Sequence, residues 1–325
     1  MKIAVLPGDG IGREVVPAAL EVLKMALPGA EYVPIEVGHE RYLREGTAMT
    51  DEEMETIRSC DCVLFGAITT PPGRKPYRSI ILRLRKELDL YANIRPFRSC
   101  PASPRKVDFT IYRENTEDLY TGLEEASEDE ARTVRVITRK ASERIARAAC
   151  HRPGIRKLTI VHKANVMKSC ELFRDACIGV ARAMGVPYEE MLVDAAAYNM
   201  VRDPGRFDTI VTTNMFGDIL SDEAAALIGS LGLSPSANVG DRHALFEPVH
   251  GSAPDIAGRG VANPVAAVLS ARMLLEWAGK AGAAEAVQQA VDATIADGVL
   301  TPDLGGRHTT GDVRSAIVKR LERLL

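Results

Sequence analysis

Two hydrophobic periods alternate along the chain. Ile3 to Leu6 is a short apolar run closed by glycines, which predicts a buried strand. From about Glu14 to Met25 apolar residues return every three or four positions, as on one face of a helix. Cys62 to Phe65 repeats the strand signal and stops at Gly66. Ile80 to Leu88 predicts a helix, and Leu90 to Ile94 an extended segment. Asp108 to Arg113, Lys157 to His162 and Asp208 to Thr212 read as strands, the last running into a helix from about Asn214 to Gly229. Pro264 to Trp277, Ala283 to Ala296 and Val313 to Leu325 predict a mostly helical C-terminal third. Strands alternating with helices imply an α/β fold with a largely parallel sheet. No internal repeat appears and no linker divides the chain once, so a second domain would be inserted into the first. The charged stretch from Leu123 to Arg139 turns strand-like at Thr133 to Thr138; it fits an arm that pairs with a second subunit, or a plain surface hairpin.

Composition narrows the class. The 325 residues carry a formal net charge of -3, 46% hydrophobic and 26% charged residues, ordinary values for a globular chain with a sizeable core. The near-neutral balance argues against nucleic acid or a membrane surface as partner. The six cysteines include no Cys-x-x-Cys pair, which points to free thiols in a reducing compartment. Met1-Lys2 leads straight into the first strand rather than a signal peptide, and no apolar run approaches the roughly 18–20 residues of a membrane span. The expected location is cytoplasmic.

Five segments could carry chemistry. Gly8-Asp9-Gly10-Ile11-Gly12 sits between a strand and a helix but lacks the Gly-x-Gly-x-x-Gly spacing of a dinucleotide loop, so a tight turn explains it. Asp218 and Asp222, four apart, share one helix face and as hard oxygen ligands suit Mg²⁺ or Mn²⁺. On spacing alone an ordinary acidic opening turn of a helix explains them better. Asp194, at the end of a strand Met191-Leu192-Val193, is a candidate third ligand. Arg85, Arg95 and Arg113 lie at strand or helix ends where guanidinium forks clamp carboxylates, though each alone reads equally as a surface ion pair. Tyr120 and Lys163 form a possible proton-transfer pair, against the default of a solvated lysine. The loop Glu247-Pro248-Val249-His250-Gly251-Ser252-Ala253-Pro254-Asp255-Ile256-Ala257-Gly258, followed by Asn263-Pro264, is suited to wrapping an adenine with an Asp on the ribose; by composition it is only a structured loop.

Taken together these segments resemble the isocitrate/isopropylmalate dehydrogenase family of decarboxylating β-hydroxyacid dehydrogenases. The match covers essentially the whole chain. It is carried by Gly-Asp-Gly-Ile-Gly at 8–12, Tyr-Ala-Asn-Ile-Arg-Pro at 91–96, Arg-Glu-Asn-Thr-Glu at 113–117, His-Lys-Ala-Asn-Val at 162–166, Gly-Asp-Ile-Leu-Ser-Asp at 217–222 and His-Gly-Ser-Ala-Pro-Asp-Ile-Ala-Gly at 250–258. The resemblance implies a two-domain fold with a ten-stranded mixed sheet. Residues 1–90 and 229–325 would form the large cofactor-binding domain, and 91–228 an inserted dimerisation and substrate domain with an arm at about 121–140. It implies a homodimer whose sites are shared: Asp218 and Asp222 bind Mg²⁺ or Mn²⁺ with Asp194 of the other subunit. Lys163, also from the other subunit, helps remove the hydroxyl proton, and Tyr120 protonates the enolate. Arg85, Arg95 and Arg113, with Arg78 and Ser79, hold substrate carboxylates. Glu247, His250, Gly251, Ser252, Ala253, Asp255, Ile256 and Asn263 bind the cofactor, with Thr70 and Asn165 near its nicotinamide.

Asp255-Ile256 matches the NAD-using members, where a carboxylate meets the ribose 2′-hydroxyl. Substrate choice turns on Arg78-Ser79-Ile80-Ile81-Leu82-Arg83-Leu84-Arg85, which joins a carboxylate-friendly corner to an aliphatic wall of Ile81 and Leu82. Archaeal homoisocitrate dehydrogenases look similar here, including Ala67-Ile68-Thr69-Thr70-Pro71. Homoisocitrate is therefore the leading expectation, with 3-isopropylmalate as the alternative and isocitrate behind it. A non-catalytic regulatory subunit of this family usually loses a metal carboxylate, the tyrosine or the lysine, and here all are retained. Ser169-Cys170-Glu171 departs from the usual stretch after the lysine motif, and the segment between Arg95 and Asp108 is short.

Overall fold

Strand β1 (Lys2–Gly8) leads into α1 (Gly12–Ala26), β2 (Glu31–Pro34), α2 (His39–Glu45), α3 (Asp51–Arg58) and β3 (Cys62–Ala67). All six β3 residues are buried, as a strand covered on both faces requires. The computed structural model describes residues 1–70 and 79–325. Pro71 to Arg78, and with them the expected clamp residue Arg78, lie outside the described residues. The chain continues through α4 (Ile80–Glu87), β4 (Ala92–Arg98), β5 (Asp108–Glu114), a ribbon of β6 (Glu124–Ala126) and β7 (Ala131–Thr133), α5 (Arg139–Cys150), β8 (Leu158–His162), α6 (Lys168–Ala183), β9 (Tyr188–Leu192), α7 (Val193–Arg202), β10 (Thr209–Thr212) and α8 (Asn214–Ile228). It closes with β11 (Pro235–Val239), β12 (Ala244–Pro248), α9 (Val265–Trp277), α10 (Ala281–Ala296) and α11 (Thr310–Leu321).

Ten of the described strands form one sheet in the order β2-β1-β3-β12-β11-β4-β5-β10-β8-β9. Pairing is parallel except at the centre, where β12–β11, β11–β4 and β4–β5 are antiparallel. The mixed, largely parallel α/β architecture expected from the sequence is the one that forms. The two expected units meet where β11 pairs with β4, so the sheet runs unbroken from one to the other. One core packs α1, α9, α10 and α11 against the sheet through residues such as Leu23, Leu274, Val287 and Ile317. A second lies under α3 and α4 (Ile57, Leu84) and a third under α5 and α6 (Ile145, Phe173). Each fully buried side chain of this size contributes roughly 1.5–3 kcal/mol. No described helix is long and apolar enough to cross a membrane.

Several local expectations shift. The C-terminal third, expected to be mostly helix, also contains β11 and β12, and Glu247 and Pro248 close β12 rather than open the loop. Strand β4 continues past Pro96 to Arg98. A proline is tolerated there because β11 reaches only to Ile94, leaving no partner on that side to receive an N–H. Strand β7 ends at Thr133 rather than beginning there. Asp194 is not a strand end: β9 stops at Leu192, and Asp194 lies in the first turn of α7.

Candidate active site

The antiparallel centre of the sheet lines up polar residues on neighbouring strands. Asn238 of β11 stands opposite Asn93 of β4, and Asn93 opposite Arg113 of β5. Arg95 follows two positions after Asn93 on the same face. Arg85 comes in from the last turn of α4. All three arginines are buried. The Asn238 carboxamide oxygen accepts from Arg85 Nε at 3.1 Å, Asn93 Nδ2 at 2.7 Å and Asn115 Nδ2 at 2.8 Å. Its own Nδ2 donates to Glu247 Oε1 at 2.7 Å. Arg95 donates to Asn93 Oδ1 at 2.7 Å and Ser221 Oγ at 2.5 Å. Arg113 donates to Asn214 Oδ1 through Nε (3.0 Å) and Nη2 (2.8 Å), and its Nη1 pairs with Asp218.

These cations outnumber their anions. Asp218 ion-pairs with Arg113 and, at 3.7 Å, with Arg95; Glu247 pairs with Arg85 at 3.3 Å. Burial, reinforced for Arg113 by Arg95 and Arg85, pulls the Arg95 and Arg113 guanidiniums below their ordinary value. A buried cluster with excess positive charge is costly unless an anion completes it. An anionic ligand with more than one carboxylate would do so.

Asp218 and Asp222 project from α8 one turn apart. Burial alone would raise the Asp218 carboxyl; Arg113 and Arg95 outweigh it and hold the group below the usual carboxylate range. Asp222 is exposed, has no ion-pair partner among the described residues, and is raised by desolvation and by the nearby Asp218 charge. The Tyr120 hydroxyl donates to Asp218 Oδ2 at 2.8 Å, and Arg113 lies 5.6 Å from its ring centroid. Desolvation and then Asp218 raise the Tyr120 pKa, which keeps the phenol protonated. Lys163 and Asp194 stand apart from this group and pair with each other at 2.7 Å, with Asp194 exposed. The described residues of a single chain therefore bring no third metal-capable side chain to Asp218 and Asp222. The two carboxylates are hard oxygen donors that fit a divalent cation, and they leave its shell incomplete.

The loop expected to hold a cofactor hangs on the first β–α turn. Ile11 N donates to Ser252 O at 2.9 Å. A Cβ on Gly10 would lie 2.0 Å from that same oxygen, so glycine is required for the close approach. The Glu14 carboxylate accepts from Gly258 N at 2.6 Å and Gly260 N at 2.9 Å. Buried Asp9 accepts from His39 N, Glu40 N and Thr69 N, and Ser252 Oγ meets Thr69 Oγ1 at 2.7 Å. His250 Nδ1 faces Gly251 O, whereas its buried Nε2 has no partner among the described residues; burial lowers its pKa, which favours the neutral ring. Gly251, Asp255, Thr70 and Asn165 are exposed, Ala253 half-buried, and Ile256 packs on the core edge. This exposed, glycine-cradled loop with an orphaned imidazole nitrogen fits an adenosine moiety. Two residues grouped with it are already engaged. Glu247 is buried in the arginine network, and Asn263 caps α9 through Val265 N and donates to Asp303.

A cleft of about 770 Å³ opens onto Arg85, Tyr120 and Asn214. Its outer wall includes Ser79, Leu82 and Lys86. Ile81, paired with Leu82 in the expected aliphatic wall, packs instead against the core under α3 and α4. Asn238, Asn214, Ser221, Asp9 and Glu14 were not singled out from sequence as site residues. A lone Asn inside the short apolar strand before Gly240 was the available signal for Asn238; nothing local marks Glu14, whose partners lie some 244 residues away.

The family model described as isocitrate/isopropylmalate dehydrogenase matches residues 2–317. The 3-isopropylmalate dehydrogenase of Methanothermobacter thermautotrophicus is 46% identical, over 99% of this chain and 99% of that one. The isocitrate/homoisocitrate dehydrogenase of Thermus thermophilus is 49% identical, again over 99% of each. Among solved structures, isocitrate dehydrogenase from Methylococcus capsulatus superposes with a TM-score of 0.94 at 42% identity, covering 98% of this chain and 99% of that chain.

Proposed function

This chain belongs to the isocitrate/isopropylmalate dehydrogenase family, oxidoreductases that oxidise and decarboxylate at a CH–OH group, and on that premise we propose that it acts on a 3-substituted malate, with homoisocitrate as lead substrate, using NAD and Mg²⁺ or Mn²⁺. The observation that carries the reading is the buried trio Arg85, Arg95 and Arg113, neutralised only in part by Asp218 and Glu247. A ligand with two or three carboxylates balances it.

The reaction oxidises the C2 alcohol to a ketone, then breaks the bond between C3 and its carboxyl group, releasing CO₂ and leaving C3 to be protonated. Bound cofactors supply hydride acceptance, by NAD, and Lewis-acid polarisation of the C2 oxygen, by the divalent cation. Asp218 and Asp222 would hold that cation, joined by Asp194 of the partner chain. Arg85, Arg95 and Arg113 orient the malate carboxylates in a nearly water-free corner, where charge–charge attraction is strong. Lys163 of the partner chain would assist removal of the hydroxyl proton as the neutral amine, once its ion pair with Asp194 is released. Tyr120, held protonated, donates to C3. His250 and the loop to Gly260 would receive the adenosine half, and the exposed Asp255 would accept from the ribose hydroxyls and repel a 2′-phosphate.

Sharing across a dimer has support from exposed surface. Every residue of the β6–β7 ribbon is exposed, and an isolated two-stranded ribbon is not stable in water. Val166, Tyr198 and Ile219 are likewise exposed, beside Lys163, on α7 and on α8. A second copy of the chain would cover them.

Homoisocitrate leads because Ser79 and Lys86 line the outer cleft and the Lys86 ammonium has no partner among the described residues, leaving it to a distal carboxylate. Exposed Leu82 on the same wall supports 3-isopropylmalate as the second reading. The test compares kcat/KM for homoisocitrate, 3-isopropylmalate and isocitrate with NAD and Mg²⁺. Homoisocitrate should lead; a wide margin for 3-isopropylmalate overturns the substrate assignment, and no turnover of any of the three overturns the reaction.

A further inference from the structure

Behind the exposed ribbon, Asp118 and Val136 form an isolated antiparallel bridge. Asp118 is fully buried, yet its backbone lies at φ 75° and ψ -140°, a region almost reserved for glycine. Strain of this kind persists only where the surroundings over-determine it. Here they do. Asp118 N donates to Val136 O at 2.8 Å. Its carboxylate accepts from Arg135 Nε at 2.5 Å through one oxygen and from Met215 N at 3.0 Å through the other. Met215 is in the first turn of α8, whose own N-cap residue Thr213 makes no side-chain cap bond. Asp118 thus caps the helix of Asp218 and Asp222 from outside.

Arg135 extends the same joint. Its Nη2 donates to Thr213 Oγ1 at 2.9 Å and its guanidinium lies 4.9 Å from the Phe216 ring centroid. Its Nη1 reaches Cys170 Sγ at 3.0 Å, in the first turn of α6 just beyond the Lys163 motif. One buried ion pair therefore touches the root of the ribbon, the start of α8 and the start of α6, and it stands two residues before Tyr120.

We infer that Asp118 and Arg135 are positioning residues that tie seating of the ribbon on a second copy of this chain to the placement of Asp218, Asp222 and Tyr120. The inference rests on reading Asp218 and Asp222 as metal ligands. Dimerisation would then do more than lend residues: the docked ribbon fixes Val136, the bridge fixes Asp118, and Asp118 fixes the first turn of α8.

Asp118→Asn separates this role from bulk stability. Asparagine has the size of aspartate and can still accept from Met215 N, but it loses the charge that holds Arg135. On the substrate-free dimer, Mn²⁺ affinity measured by electron paramagnetic resonance should weaken about tenfold, the lower end of what outer-shell substitutions do at metal sites. The kcat should fall with it while KM for NAD stays within about twofold. Arg135→Lys, which cannot span both Asp118 and Thr213, should move the same way. Wild-type Mn²⁺ affinity and kcat in folded Asp118→Asn overturn the inference, as does an equal rise in KM for NAD, which marks general loosening. If Asp118→Asn does not fold, Arg135→Lys decides on the same criteria; failure of both assigns the pair to folding alone and overturns it. Asp218→Asn is the control. If it leaves Mn²⁺ binding intact, the metal reading fails and takes this inference with it; if it abolishes binding that Asp118→Asn leaves untouched, only the inference fails.

Discussion

Asn238 is the residue on which the arginine site turns. One carboxamide oxygen accepts three buried donors, from Arg85, Asn93 and Asn115, and its nitrogen secures Glu247. Removing it strands several polar groups away from water, and a single stranded group costs about 1–3 kcal/mol. Asn238→Ala should therefore lower stability by about 3 kcal/mol and raise the substrate KM, since Arg85 loses its anchor. Denaturant unfolding with steady-state kinetics checks both; unchanged KM would detach Arg85 from the substrate. At this scale the sequence marked Arg95, Arg113, Asp218 and Asp222 as candidates because each carries its chemistry within a short motif, and the fold brings Arg95 and Arg113 to Asp218. It was not legible for Asn238, Glu14 or Asp118, whose roles exist only through partners brought together by folding. Arg135 shows the limit: in the sequence it is one more charge in a charged arm.

At the scale of elements, the loop between β5 and the ribbon stores a buried carboxylate. Glu117 accepts from Thr138 N at 2.8 Å and Thr138 Oγ1 at 2.9 Å, at the residue that caps α5. Burial, aided by the neighbouring Glu114 charge and opposed by Thr138 and Arg144, pushes its pKa up to about 7. The folded state therefore keeps a proton between about pH 4.5 and 7 that the unfolded chain has released. Its contribution to stability is greatest below that window and is lost as pH rises through 7. Glu117→Gln should flatten the dependence of Tm on pH between 5 and 8; an unaltered slope would place the titration elsewhere. Long periodic helices and fully buried strands of apolar and β-branched residues, such as β3 and β10, were legible because burial on both faces writes itself into composition. Strands β11 and β12 were not, since Ser236, Asn238 and Glu247 place polar side chains in a buried strand face to serve the site. The start of α7 was missed because the apolar run Met191 to Val193 crosses a strand end and a helix start without a break.

For the whole molecule, a single sheet gathers the arginines with Asp218, and under the proposed reading the Lys163–Asp194 pair of a second chain completes that site. The α/β class and the family were legible in the order of motifs along the chain. The incompleteness of the site was legible only through the family resemblance, because no spacing within one chain reveals what a second chain contributes. The central claim is that Asp222 of one chain works with Lys163 of its partner, and mixing two inactive variants tests it most directly. Asp222→Asn and Lys163→Met homodimers should each be inactive. After dissociation and reassociation at equal amounts, half of the dimers are mixed and each mixed dimer holds one intact site, so about a quarter of wild-type turnover should return. Activity no higher than that of either variant alone would contradict a shared site.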